Sequence, residues 1–273
     1  MLNKIHNESC LETMKRMEAS TIDVVLTNPF YNTNKHAGNS GVIDLNKAPD
    51  GNIRYDMHVD NMTDEEYCDF TVDLFNGFDK VLKPNGCVLY NISYGAENVT
   101  GMFDAMHAVT HRTNFTIADV ICWKKASAFP NSCSPNRLTR IWEFVFVCCR
   151  KNEEKTFFCN KKISSRRETG QLMYENVFNF IEAKNNDGTC PYNKATYSTD
   201  LCTQLLTIYA PKQCVVYDPF MGSGTTAVAC KQMGFDYVGS EISPNQIKWA
   251  EDRLSDATVL TTDGQTISKQ SLF

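Results

Sequence analysis

Two strings in this chain hold residue types that could do chemistry together: Asn28-Pro29-Phe30-Tyr31 and Asp218-Pro219-Phe220-Met221-Gly222-Ser223-Gly224-Thr225-Thr226. In the first, a side-chain amide follows a short apolar run. The asparagine oxygen and the backbone carbonyl before Phe30 can each accept a hydrogen from an amino group. An exocyclic amine on a nucleic-acid base is a poor nucleophile, because its lone pair is delocalised into the ring. Two acceptors that pull the nitrogen toward tetrahedral geometry free that lone pair for attack on an electrophilic carbon. Tyr31 offers a ring that can stack on a base once it leaves the duplex.

The second string reads as a tight turn between a strand and a helix. Gly222 and Gly224 let the backbone approach a ligand closely, and the helix start presents unpaired N–H groups to a carboxylate or phosphate. A phosphate-binding P-loop needs a lysine where Gly224 stands. A dinucleotide fingerprint would need a third glycine at Ala227, where alanine is a loose match. Glu241, at the end of the next expected strand, could hold a ribose diol. The glycine spacing by itself leaves the choice among nucleoside cofactors open.

The elements that must position these strings follow from periodicity and punctuation. Ile22 to Thr27 reads as a buried strand stopped at Asn28-Pro29. Residues 32–61 are polar and rich in Gly and Asn, and read as a long loop. Thr63 with Glu66 forms a capping box that opens a helix toward Leu82, ended by Lys83-Pro84-Asn85-Gly86. Strands are expected at Cys87–Ile92, Phe115–Trp123 and Trp142–Cys149, with Ala126 to Arg140 as a connection. Ser198 to Tyr209 reads as a helix and Val215–Asp218 as a strand, followed by Gly222-Ser223-Gly224-Thr225-Thr226 and a helix through Met233 stopped by Gly234. Tyr237–Glu241 and Pro244–Leu254 complete the alternation. Strands alternating with helices imply a mostly parallel sheet covered on both faces.

The net charge of -5 argues at first against a polyanionic partner, but the charge is uneven. Between residues 123 and 167, eleven lysines and arginines stand against three glutamates, leaving a local excess of eight positive charges. Such asymmetry is an electrostatic footprint for nucleic acid. Lys124, Arg137, Arg140, Lys161, Lys162, Arg166 and Arg167 are the candidate DNA contacts, with Trp123 either beside them or in the core. The twelve cysteines form no CxxC pair and are expected as buried free thiols in a reducing cytoplasm, with no metal site. No Pro-Cys dipeptide occurs, so the thiolate nucleophile that cytosine C5 methylation needs has no candidate. The five histidines are scattered, His36 and His58 within the long loop, and none is assigned a role. No apolar run is long enough to span a membrane, and the start lacks signal-peptide character.

The whole string from Asp218 to Thr226 resembles the S-adenosylmethionine motif of the amino-methylating DNA methyltransferases, and Asn28 to Tyr31 resembles their (Asp/Asn/Ser)-Pro-Pro-(Tyr/Phe) tetrad, with Phe30 in place of the second proline. The tetrad preceding the cofactor motif resembles the circularly permuted order of the β group of that family. The resemblance implies a Rossmann-like α/β fold, with residues 1–149 and 196–273 as the catalytic domain and 150–195 as an irregular target-recognition insertion. It implies cofactor contacts from Asp218, Pro219, Phe220, Gly222, Gly224, Thr225 and Glu241. Thr196 and Ser198 lie in a stretch similar to the one that opens a helix before the cofactor motif. Glu8-Ser9 stands where the family carries Gly-Asp beside the cofactor adenine, which makes Ser9 a further candidate.

The implied reaction is methylation of adenine N6 in double-stranded DNA. Cytosine N4, an RNA or protein amide, and a non-catalytic nucleic-acid-binding module are the alternatives. Asn28 leans to adenine, since the N4 members of the family more often carry serine there. A homodimer and a companion restriction endonuclease are the partners that come with the resemblance.

Overall fold

A computed structural model of the protein describes residues 1–32, 57, 62–94, 98–128, 135–188, 190–193, 195–260 and 266–267. Most of the expected long loop, with His36 and His58, lies outside the described residues. The chain runs β1 (Lys4–Asn7), α1 (Cys10–Arg16), β2 (Ile22–Thr27), α2 (Asp64–Val81), β3 (Leu82–Ile92), α3 (Gly101–Arg112), β4 (Phe115–Lys125) and β5 (Trp142–Arg150). It continues with β6 (Ile163–Arg166), β7 (Leu172–Tyr174), β8 (Phe180–Ala183), α4 (Thr199–Tyr209), β9 (Val215–Asp218), α5 (Thr225–Met233), β10 (Asp236–Glu241) and α6 (Pro244–Asp256).

Eight strands form one sheet in the order β1-β10-β9-β2-β3-β5-β4-β8. All neighbouring pairs are parallel except those made by β5, which is antiparallel to both β3 and β4. The apolar runs are continuous because the sheet is buried on both faces. Val24, Leu26, Leu89 and Val147 pack with Leu201, Leu205 and Ala227 of α4 and α5. On the opposite face Val25, Val88 and Tyr90 pack with Met14, Phe75, Phe78 and Val109 of α1, α2 and α3. Thr63 caps α2 through the expected box, its hydroxyl accepting from the Glu66 N–H.

The two motif strands are direct neighbours: Val24 pairs with Val216 and Val25 with Tyr217. The helix after β9 (α5) covers one face and the helix after β2 (α2) covers the other. Their departure in opposite directions opens a crevice at the carboxyl ends of these strands, the place where open α/β sheets bind ligands. The permuted order thus costs nothing structurally, because β1 pairs with β10 and joins the two ends of the chain in one sheet.

The segment 150–195 is more ordered than its composition suggests. It holds a two-stranded antiparallel ribbon, β6–β7, and β8, which extends the main sheet parallel to β4. Trp123 is a core residue, 1% exposed, with its indole N–H donating to the Ala183 carbonyl at 3.4 Å. Among the described residues no helix is long and apolar enough to cross a membrane, and no group of His, Cys, Asp or Glu could hold a metal ion.

Candidate functional site

The end of β9 is held by a buried carboxylate. Asp218 is fully buried and accepts from Thr27 Oγ1 at 2.9 Å, Thr226 Oγ1 at 2.5 Å, the Phe220 N–H at 3.0 Å and Tyr197 Oη at 3.3 Å. Burial pushes its pKa up, while the bonds from Thr226, Phe220, Thr27 and Tyr197 pull the other way. These partners come from β2, the β9–α5 turn, α5 and the segment before α4, so one side chain ties four pieces of chain together.

Past Asp218 the backbone folds against the end of β10. The Met221 N–H donates to the Ser240 carbonyl at 2.9 Å. Glu241 accepts from the Gly222 N–H and the Ser243 N–H, each at 2.8 Å. Gly222 and Gly224 both have positive φ, +53° and +82°, which the turn requires and which favours glycine. Their surroundings differ. A Cβ on Gly224 would come within 2.6 Å of Ala250 Cβ in α6, so that glycine serves helix packing. A Cβ on Gly222 would lie 3.2 Å from Asn193 Nδ2 and 3.3 Å from Gln246 Oε1, on the wall of an open space.

That space is a cavity of about 240 Å³. Pro219, Phe220, Gly222 and Glu241 form one side, Glu8, Ser9 and Cys10 another, and Asn28 with Phe30 the end toward β2. Phe30 packs on Phe70 of α2 at 5.4 Å between ring centroids and meets Phe220 edge-on at 6.0 Å. An apolar slot with a carboxylate at one end suits a nucleoside, with the ring against the Phe30–Phe220 wall and the diol on the acid. Glu8 also lines it. Burial opposes its charge, but Arg16 and Thr13 bond the carboxylate and hold its pKa below the ordinary glutamate value. Cys10, in the same wall, has its thiol pushed up to about 12 by burial, with Asp218 adding to the shift, so it is not a thiolate at neutral pH.

At the β2 end, Asn28 is oriented by two bonds. Its Nδ2 donates to the Ala195 carbonyl at 3.1 Å, and its Oδ1 accepts from the Tyr31 hydroxyl at 2.6 Å. Pro29 is buried, and the carbonyl of Phe30 accepts from Tyr67 Oη of α2 at 2.8 Å, which fixes the backbone that follows Asn28. The Tyr31 hydroxyl also lies 3.0 Å from Glu143 Oε2.

Several expected residues stand elsewhere. Asp218 is behind the cavity wall. Thr225 is buried and faces α6, where its hydroxyl accepts from Arg253 Nη1 at 3.0 Å. Ser198 is fully buried as the N-cap of α4; its hydroxyl donates to the Lys184 carbonyl and accepts from the Leu201 N–H, and it does not line the cavity. Thr196 does not line the cavity, whereas Ala195 does. Asn193 and Gln246 were missed: they line the cavity and bond to each other at 2.9 Å. Asn193 falls in a segment whose composition points only to surface, and Gln246 is one polar residue in an amphipathic helix. Neither position carries a sequence signal of its own.

The basic segment also sorts differently. Arg150 is 12% exposed at its side chain and binds Asp79 together with the Asp79, Leu82 and Lys83 carbonyls. Lys151 donates to the Thr113 carbonyl. These two charges are structural. Asn160 is tied to the Thr207 and Ala210 carbonyls, so Lys161 and Lys162 start beside the carboxyl end of α4. Lys124 pairs with Glu182 near the end of β4, Arg140 lies 5.2 Å from the Tyr94 ring centroid just past the end of β3, and Arg137 is exposed. Arg166 and Arg167 are exposed on the β6–β7 ribbon.

Comparison with known proteins bears on what this cleft is for. Residues 22–252 match the model of a DNA methylase family whose members act at N6 or N4. The Type II methyltransferase M2.LlaDCHI of Lactococcus lactis subsp. cremoris is 24% identical over 258 residues, 92% of this chain and 88% of that enzyme. The Type II methyltransferase M.Cfr9I of Citrobacter freundii is 30% identical over 134 residues, 49% of this chain and 43% of that enzyme. The solved structure of an M1.HpyAVI–SAM complex is similar with a TM-score of 0.59 at 18% identity, covering 92% of this chain and 98% of that one.

Proposed function

Because the chain belongs to the N6/N4 DNA methylase family, we propose that it transfers a methyl group from S-adenosylmethionine to the exocyclic N6 of adenine in double-stranded DNA. The observation that carries this reading is one cavity walled both by Glu241 with the β9–α5 turn and by Asn28 with Phe30, residues about 190 to 210 positions apart in the chain. When bound, S-adenosylmethionine supplies an electrophilic methyl on a sulfonium. Glu241, fixed by two backbone N–H groups, holds the ribose hydroxyls in this reading, and Phe220 and Phe30 together offer one apolar wall beside the ring. Asn28 Oδ1 and the Pro29 carbonyl accept the amine hydrogens and free the nitrogen lone pair for direct attack. The protonated thiol of Cys10 fits a mechanism without a covalent enzyme adduct. Asn28 rather than serine supports adenine over cytosine N4.

The experiment is methyl transfer with a tritiated donor to duplex DNA by wild type and Asn28→Ala. The variant should bind S-adenosylmethionine normally and lose at least about a hundredfold in transfer. Near-normal turnover by Asn28→Ala would refute the role of the tetrad.

A further inference from the structure

We propose that Glu143 is a positioning residue for this reaction: it draws the Tyr31 hydroxyl proton away from Asn28, so that the amide oxygen stays open to the substrate amine. The inference rests on the function proposed above and adds to it a residue outside both motifs.

The Tyr31 hydroxyl has one proton and three acceptor oxygens in reach, Asn28 Oδ1 at 2.6 Å, Glu143 Oε2 at 3.0 Å and Asn91 Oδ1 at 3.4 Å. Neither asparagine can turn its NH₂ toward the phenol without losing a bond. Asn28 Nδ2 is committed to the Ala195 carbonyl, and Asn91 Nδ2 donates to the Phe144 carbonyl at 2.8 Å. With neutral acceptors alone, the proton sits on the shortest contact, Asn28 Oδ1. That is the oxygen the amine must use, and a phenol proton on one of its two lone pairs weakens it as an acceptor for the substrate.

Glu143 shifts that competition. A carboxylate accepts a hydrogen bond about twice as strongly as a neutral amide. Glu143 is held for the task by Lys125, whose Nζ is 2.5 Å from the other oxygen, Oε1. The side chains are 14% and 26% exposed, so water screens the pair little. Lys125 in turn sits 5.1 Å from the centroid of the buried Trp123 ring. The two strands that carry them, β4 and β5, are in antiparallel register with Trp123 opposite Glu143. One carboxylate oxygen thus faces the lysine and the other the tyrosine. When the amine arrives, its N–H takes the place of the Tyr31 O–H on Asn28, and the phenol proton turns to Glu143; no bond other than hydrogen bonds changes.

The test is a double-mutant cycle read by single-turnover methyl transfer, with donor and DNA affinities measured alongside. Glu143→Gln should slow transfer about tenfold or more, with both affinities unchanged. In a Tyr31→Phe background, where no hydroxyl is left to steer, the same change should cost less than about twofold. An equal loss in both backgrounds, or none in the wild-type background, would overturn the proposal. If Glu143→Gln alone does not fold, the cycle is run with Lys125→Met in every protein, which removes the stranded ammonium. A wild-type enzyme that methylates no amino group of DNA would overturn the proposed function itself, a different outcome from an active enzyme indifferent to Glu143.

Discussion

Replacing Asp218 with alanine should weaken cofactor binding only by loosening the turn that shapes the cavity. The carboxylate accepts four hydrogen bonds in a fully buried site. After its removal Tyr197 Oη and Thr226 Oγ1, which lie 2.5 Å apart, can still satisfy each other. Thr27 Oγ1 and the Phe220 N–H lose their partner, at about 1–3 kcal/mol each. Relief of the buried carboxylate's desolvation offsets part of this, leaving a net loss of about 2–4 kcal/mol. For a chain of this size that lowers the melting temperature by roughly 5–15 °C. Urea unfolding and calorimetric titration with S-adenosylmethionine should therefore move together. Asp218→Asn keeps the Oδ1 acceptor and should lose less. It should also flatten one feature of the pH profile. The folded pKa of Asp218 is raised by burial, so the folded state holds this proton more tightly than the unfolded chain. That contribution is full below the unfolded aspartate value of about 4 and is lost as pH rises through the folded value; Asp218→Asn should lack this slope. Weaker donor binding by Asp218→Ala with unchanged stability would refute the reasoning, because it would mean that the carboxylate touches the cofactor.

Gly224→Ala should destabilise by about 2–5 kcal/mol in urea unfolding, from left-handed backbone strain and collision with Ala250. Gly222→Ala, whose Cβ would face Asn193 and Gln246 at 3.2–3.3 Å, should show its main effect in donor affinity. Combined Arg137→Ala and Arg140→Ala should lower the slope of log affinity against log salt for DNA by about two, read by fluorescence anisotropy. Arg150→Ala should instead lower stability and leave that slope alone, since Arg150 is spent on Asp79 and backbone carbonyls. Cys10 should resist alkylation at neutral pH in the folded protein, because burial holds its thiol up at about 12.

The core and the two motif strands were legible in the sequence because their signals are local. Ile22–Thr27 and Val215–Asp218 are continuous apolar runs with hard stops, and Thr63 with Glu66 is a cap written in four residues. Glu241 could be found because its place at a strand end is fixed relative to the glycines before it. What was not legible depends on direction and on distant partners. Asp218 belongs to the motif by type, but which way its carboxylate points is decided by Thr27, Tyr197 and Thr226. Gly224 looks like a ligand contact until Ala250 is placed against it. Residues 180–183 carry no strand period of their own; they form β8 because the edge of β4 offers free backbone groups, from Cys122 to Lys125. The helix Gly101–Arg112 carried no expectation, with Thr100 making no side-chain cap. Counting charge along the chain overstated the basic surface, because Arg150 folds inward and the exposed Lys151 is tied to the Thr113 carbonyl.

The third position of the tetrad shows how a departure from a motif can be absorbed. Phe30 is 8% exposed and joins Tyr67, Phe70 and Phe220 in one aromatic cluster. The backbone constraint a proline would supply comes here from packing and from the Tyr67 hydroxyl on the Phe30 carbonyl. The cluster also links the catalytic strand to the cofactor turn through Phe220.

The central claim is methylation of an amino group of a DNA base. It is tested most directly by incubating unmethylated duplex DNA with the enzyme and S-adenosylmethionine, digesting to nucleosides and identifying the products by mass. The account predicts N6-methyldeoxyadenosine in wild-type reactions and at least about a hundredfold less with Asn28→Ala. Recovery of 5-methyldeoxycytidine, or of methyl groups in RNA or protein with none in DNA, would contradict it.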